Sequence, residues 1–182
     1  MSESLAVVAE PTVAAIESTL IQGDLSKLSP AQRVSYYRKV CDSLGLNPWT
    51  KPFDYITLNG KLTLYAKRDA TDQLRKIHGI SIAILERARD AGGDVYWVRA
   101  QAKLGIVGRQ DESLGAVSIA GLKGESLANA MMKAETKAKR RVTLSICGLG
   151  WLDETEVETV ASREAVAVNT DTGEIIAPAP PV

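Results

Sequence analysis

The sequence predicts an α+β fold: a β-hairpin and an antiparallel three-stranded meander, packed by a long basic C-terminal helix. Three observations predict it. Two strand-like runs, Phe53–Leu58 and Lys61–Tyr65, flank Asn59-Gly60. That pair favours a type I′ hairpin turn because both residues tolerate positive φ. Three further extended runs follow, over Ile80–Ala88, Asp94–Val107 and Asp111–Ala120, the first two joined by Asp90-Ala91-Gly92-Gly93. Short connections of this kind join antiparallel neighbours. Finally, Glu125–Gly148 reads ESLANAMMKAETKAKRRVTLSICG, with no Pro or Gly before Gly148.

Taken in order, residues 1–28 form an acidic N-terminal segment, partly disordered, in which Thr12–Gln22 suits a short helix ended near Gly23. Ser29 followed by Pro30 is a helix start, because Ser caps free backbone N–H groups and Pro is preset for the first turn. The helix AQRVSYYRKVCDSLG carries Val34, Tyr37, Val40 and Leu44 on one side and stops at Gly45. Pro48 and Pro52 bracket the rigid turn NPWTKP. Arg68–His78 reads as a helix stopped by Gly79. In the second meander strand, Val95, Trp97, Arg99, Gln101 and Lys103 share one face by the two-residue period.

On the long helix, Leu127, Met131, Ala134, Ala138 and Val142 form an apolar stripe that would seat it on the sheet. Lys133, Lys137, Arg140 and Arg141 are read as the opposite, outward face. Glu135 is spaced to pair with Lys139 at i,i+4, and no acid is spaced to reach Lys137 or Arg141. A solvated helix face and an anion site are equal readings of that face alone.

The formal charge of zero hides an asymmetry. Residues 27–152 hold 21 Lys and Arg against 11 Asp and Glu, a net of +10. Residues 1–26 carry four acids and no cation, and residues 153–182 carry seven acids and one Arg. The basic domain is therefore 29–152, followed by an acidic, mostly disordered tail over 153–182. A basic centre between acidic ends points to a polyanion. Aromatic residues sit among these cations: Tyr65 precedes Lys67 and Arg68, and Trp97 shares a strand face with Arg99. Single strands are bound by such sets, bases stacking on rings while cations hold phosphates. A core role for Tyr65 and Trp97 is the competing reading.

Other chemistries lack their residues. No G-x-x-x-x-G-K-[ST] loop is present, so ATP hydrolysis is not expected. One His, His78, and no Cys or His cluster leave no zinc site. A carboxylate-metal nuclease using Mg²⁺ would draw on Asp54, Asp69, Asp72 and Glu86. Arg68, Arg75 and Lys76 surround Asp69 and Asp72, and Arg87 and Arg89 flank Glu86, which suits salt bridging better. No apolar run approaches the ~20 residues of a membrane helix. The start MSESLAVVAEP lacks an export signal's basic and apolar parts, so a cytoplasmic protein with two reduced thiols, Cys41 and Cys147, is expected.

Two stretches together resemble a family. Leu44–Ile56, LGLNPWTKPFDYI, resembles the Gly-Leu-Asn-Pro segment of the RecT/Redβ phage-type single-strand annealing proteins. Met132–Glu154 resembles that family's closing basic helix and acidic continuation. The long basic helix is also similar to that of the Rad52 annealing core. The resemblance covers roughly 29–160. It implies an ATP-independent protein of homologous recombination and DNA repair that binds single-stranded DNA and anneals complementary strands. No cofactor is then required, Mg²⁺ being the one ion left open. It implies a homo-oligomer, ring or helical filament, and an exonuclease or single-strand-binding protein as partner. Carried over by position, Lys133, Lys137, Arg140 and Arg141 would line the strand groove, with Lys67, Arg68, Tyr65, Trp97 and Arg99 as further contacts. A strand-protecting protein without annealing activity and a structural assembly protein with an incidental basic face are the alternatives.

Overall fold

A computed structural model of the chain describes residues 19, 23–58, 60–106, 108–150, 167–169 and 171–176. They belong to two compact units, Met1–Tyr65 with Glu154–Val182 and Ala66–Asp153. The fold is mixed α+β, with antiparallel sheets and three α-helices among the described residues.

In the first unit, helix α1 spans Pro30–Ser43. Ser29 caps it in a capping box with Gln32, whose side chain accepts from the Ser29 N–H at 2.9 Å. Its most buried stripe is Arg33, Tyr37 and Cys41, with Val34, Val40 and Leu44 half-buried beside it. Strands β1 (Phe53–Leu58) and β2 (Lys61–Ala66) form the hairpin. Gly60 has the positive φ the turn needs, 75°, while Asn59 lies outside the described residues. The rings of Tyr37 and Phe53 meet edge to face at 5.9 Å, and the Tyr55 hydroxyl donates to the Arg33 carbonyl at 2.9 Å.

The expected helix over Thr12–Gln22 lies outside the described residues apart from Thr19. Part of the tail expected to lack structure is paired. Strands β6 (Ala167–Val168) and β7 (Ile175–Ile176) form a short antiparallel ladder, and the buried Arg33 explains what ties it down. Its guanidinium donates to the Gly173 carbonyl at 2.7 Å and to that of Leu28 at 2.6 Å.

In the second unit, α2 (Arg68–His78) leads into β3 (Ile80–Arg89), β4 (Val95–Leu104) and β5 (Gln110–Ser118), paired in that order. Gly79 ends α2 in the left-handed conformation, φ 63°. Helix α3 then runs Gly124–Ile146. Burial on β4 alternates as the period requires: Tyr96, Val98, Ala100 and Ala102 are buried, and Trp97, Arg99, Gln101 and Lys103 lie on the other face. The buried set packs on Ala134, Ala138, Val142 and Ile146 of α3, with Leu127 and Met131 at the margin. The predicted stripe therefore does seat the helix.

Gly115 of β5 sets how closely α3 approaches. A Cβ there would collide with the Ala134 carbonyl and the Ala138 backbone nitrogen. With Ala134 and Ala138 facing a glycine, the helix lies directly on strand backbone.

Both cysteines are free, Cys41 fully buried and Cys147 half-buried. Burial pushes the Cys41 thiol up to about 11 and raises Cys147 above its ordinary value, Arg109 opposing the second shift. At pH 8 a thiol reagent is expected to modify Cys147 in the native protein and Cys41 only after unfolding. Equal labelling rates would contradict this placement.

Candidate nucleic-acid interface

The four cations assigned to one outward face of α3 do not share a face. Lys133 is exposed, Arg141 half-buried, and Lys137 and Arg140 are only 9% and 6% accessible. The first reason is in the helix geometry. At 100° per residue, Arg141 projects only about 20° from Ala134, so it borders the apolar stripe instead of opposing it. The second is that α2 packs on α3 from another side, Arg75 donating to Thr143 Oγ1 at 3.1 Å. The later half of α3 is buried nearly all round, at Lys137, Ala138, Arg140, Val142, Thr143, Leu144 and Ile146.

Lys137 and Arg141 serve the sheet edge. Lys137 Nζ donates to the Ala116 carbonyl at 3.3 Å and Arg141 to that of Leu114 at 2.9 Å. Both carbonyls lie on β5, an edge strand, whose outward groups would otherwise stay open for another strand to pair.

Arg140 belongs instead to a cleft of about 340 Å³ between α2 and α3. Arg68, Thr71, Asp72 and Arg75 line it from α2, and Met132, Glu135, Thr136, Lys139 and Arg140 from α3. Both sets follow the spacing of one helix face, i, i+3, i+4, i+7. Four cations thus meet two carboxylates. Asp72 accepts from Arg68 Nε at 3.3 Å and also pairs with Arg75. Glu135 accepts from Lys139 at 2.6 Å, the pair expected from its spacing, and from Arg87 at 2.9 Å. Hydrogen bonds from Lys139 and Arg87 hold the Glu135 carboxyl below its usual value, so it is ionised near neutrality. Solvent-exposed pairs such as Arg68–Asp72 are worth at most about 1 kcal/mol, so a phosphate oxygen can exchange into them at little cost. The excess of positive charge suits the cleft to an anion with several acceptor oxygens, whereas the Thr71 and Thr136 hydroxyls already donate to the Arg68 and Met132 carbonyls at 2.8 and 3.0 Å.

The remaining predicted residues are placed elsewhere. Lys67 is half-buried at the N-cap of α2. Tyr65 is half-buried on β2, in the first unit. Trp97 is half-buried on the sheet face away from α3, where Arg99 sits between two carboxylates, Glu86 at 3.5 Å and Glu112 at 3.9 Å. Two flanking acids offset that cation, so this face attracts phosphate less than the cleft does. Asp69 and Asp72 lie on α2, and Asp72 is engaged by two arginines. Among the described residues, no three His, Cys, Asp or Glu side chains gather as a metal site would require.

Sequence reasoning missed Arg75 and Lys139 as cleft residues. Their helix-face spacing was readable, but nothing local paired the α2 face with the α3 face across 60 residues of chain. No family model, curated protein or solved structure matches this chain.

Proposed function

We propose that the protein is an ATP-independent single-stranded-DNA-binding and strand-annealing protein of the RecT/Redβ type, acting as a homo-oligomer in homologous recombination. The observation that carries this reading is the cleft between α2 and α3, where Arg68, Arg75, Lys139 and Arg140 outnumber Asp72 and Glu135. A long helix laid across an antiparallel meander is the architecture the resemblance implies, which supports a Rad52-like annealing core. In this reading the affinity comes from phosphate contacts and the chain performs no hydrolysis. Strands held by phosphate leave their bases free to pair, which is what annealing requires.

The test is binding of labelled oligothymidylate at several salt concentrations, with annealing of complementary oligonucleotides followed without ATP. We expect a log–log salt slope of about −0.7 per phosphate neutralised, preference for single strand over duplex, and faster annealing. Salt-insensitive binding or preference for duplex would sink the reading. Binding that slows annealing would assign a protecting protein instead.

A further inference from the structure

The most exposed aromatic ring among the described residues is not in the cleft. Trp49 is 78% accessible, at the tip of the turn Pro48–Thr50 in the first unit. Leu46 on one side of the tip and Pro52 and Phe53 on the other are buried, and they clamp the five residues between them. Inside that clamp the backbone is fully specified. Asn47 Oδ1 accepts from the Trp49 N–H at 3.0 Å, and the Asn47 carbonyl accepts from Thr50 Oγ1 at 2.8 Å. The Lys51 N–H closes the turn on the Pro48 carbonyl at 3.0 Å.

Lys51 itself has φ 51° and ψ 59°, the only positive φ outside glycine among the described residues. Left-handed backbone at a lysine carries strain and persists only where its surroundings impose it. The result is a stiff mount that turns an indole into solvent with a cation two residues on. The Lys51 ammonium meets Asp171 at 3.8 Å, an exposed pair that an incoming phosphate can replace.

The surroundings of the ring decide its partner. Asn47, Thr50 and Lys51 are exposed and polar, and Leu44–Phe53 contains one cation and no acid. A single ring with a polar rim is far smaller than the contiguous apolar patch a protein interface buries. It matches one nucleobase, which offers a flat π-face with an anionic phosphate attached.

We infer that Trp49 is a base-stacking platform for single-stranded DNA, with Lys51 holding the phosphate of the stacked nucleotide. This rests on the strand-binding reading of the cleft and adds a contact made to bases instead of phosphates.

The test compares Trp49→Ala and Trp49→Phe in the full chain, by fluorescence anisotropy with a labelled oligothymidylate and with an abasic strand of equal phosphate number. Circular dichroism verifies the fold, which an exposed side chain should not alter. Trp49→Ala is expected to weaken oligothymidylate binding about 10-fold, within the range for one lost stacked base. Trp49→Phe stays within about three-fold by keeping an aromatic face, and both bind the abasic strand as the parent does. Unchanged oligothymidylate binding, or an equal loss on the abasic strand, overturns the inference. A lower oligomer mass with DNA binding intact also overturns it and assigns the ring to a protein contact. If Arg68→Glu with Lys139→Glu still weakens binding in those cases, the strand-binding reading survives. If the parent binds neither strand, both readings fail.

Discussion

Replacing Gly115 by alanine is expected to cost about 2–3 kcal/mol of stability, and replacing it by valine should prevent the second unit from folding. The reason is what the new atom would meet. A Cβ at this position points into the backbone of α3, at the Ala134 carbonyl and the Ala138 nitrogen, and against Lys137 Cβ. Flexible side chains can swing away from an added methyl, but a helix backbone cannot move without lifting its neighbours. Relieving the clash would shift α3 off Val98, Ala100 and Ala102, the packed centre of this unit. For a chain of this length the alanine variant should melt roughly 4–12 °C lower. Gly92→Ala is the control, since a Cβ there makes only an ordinary 3.4 Å contact with a carboxylate oxygen in a turn. Thermal unfolding by circular dichroism measures both. Gly115→Ala melting within a degree of the parent would mean that α3 does not lie this close to β5.

The second expectation concerns the cleft. Reversing two of its accessible charges, Arg68→Glu with Lys139→Glu, should weaken binding of oligothymidylate at least ~25-fold near 0.1 M salt. The figure follows from counterion release. A slope of about 0.7 per phosphate makes each contact worth roughly five-fold between 1 M and 0.1 M salt, so two lost contacts multiply to about 25. Repulsion by the new carboxylates adds to the loss. The log–log salt slope should flatten by about 1.4 at the same time. The comparison variant is Lys137→Glu with Arg141→Glu, which keeps the cleft and removes two donors from carbonyls of the β5 edge. It should lower the melting temperature and change binding less than the cleft pair does. If it abolishes binding while the cleft reversal leaves affinity and slope unchanged, the strand runs along the sheet edge and the cleft assignment is wrong.

Much of the fold was legible because its signals are local. Ser29-Pro30 marks the start of α1, Gly79 ends α2 and Gly60 supplies the hairpin's positive φ, each through the conformation of one or two residues. The alternation along β4 and the stripe Leu127–Val142 were equally readable, since strand and helix periods are properties of the backbone. The candidate site was only half legible. Arg68 and Arg140 were singled out and do reach one cleft, whereas Lys133, Lys137 and Arg141 do not join them there. The helical angle alone sets Arg141 beside Ala134, at the border of the apolar stripe.

By itself, then, the sequence determined the elements from α1 to α3, their order and the apolar face that seats α3 on the sheet, but not the short β6–β7 ladder in the tail. Only the tertiary structure decided which cations are held by protein and which face a cleft. Periodicity says which residues share a side of one helix; it does not say what covers the other sides. Here β5 takes Lys137 and Arg141, and α2, some 60 residues earlier, closes over Arg140. Those partners are brought together by packing the apolar stripe, so the fate of each charge follows from contacts distant in sequence.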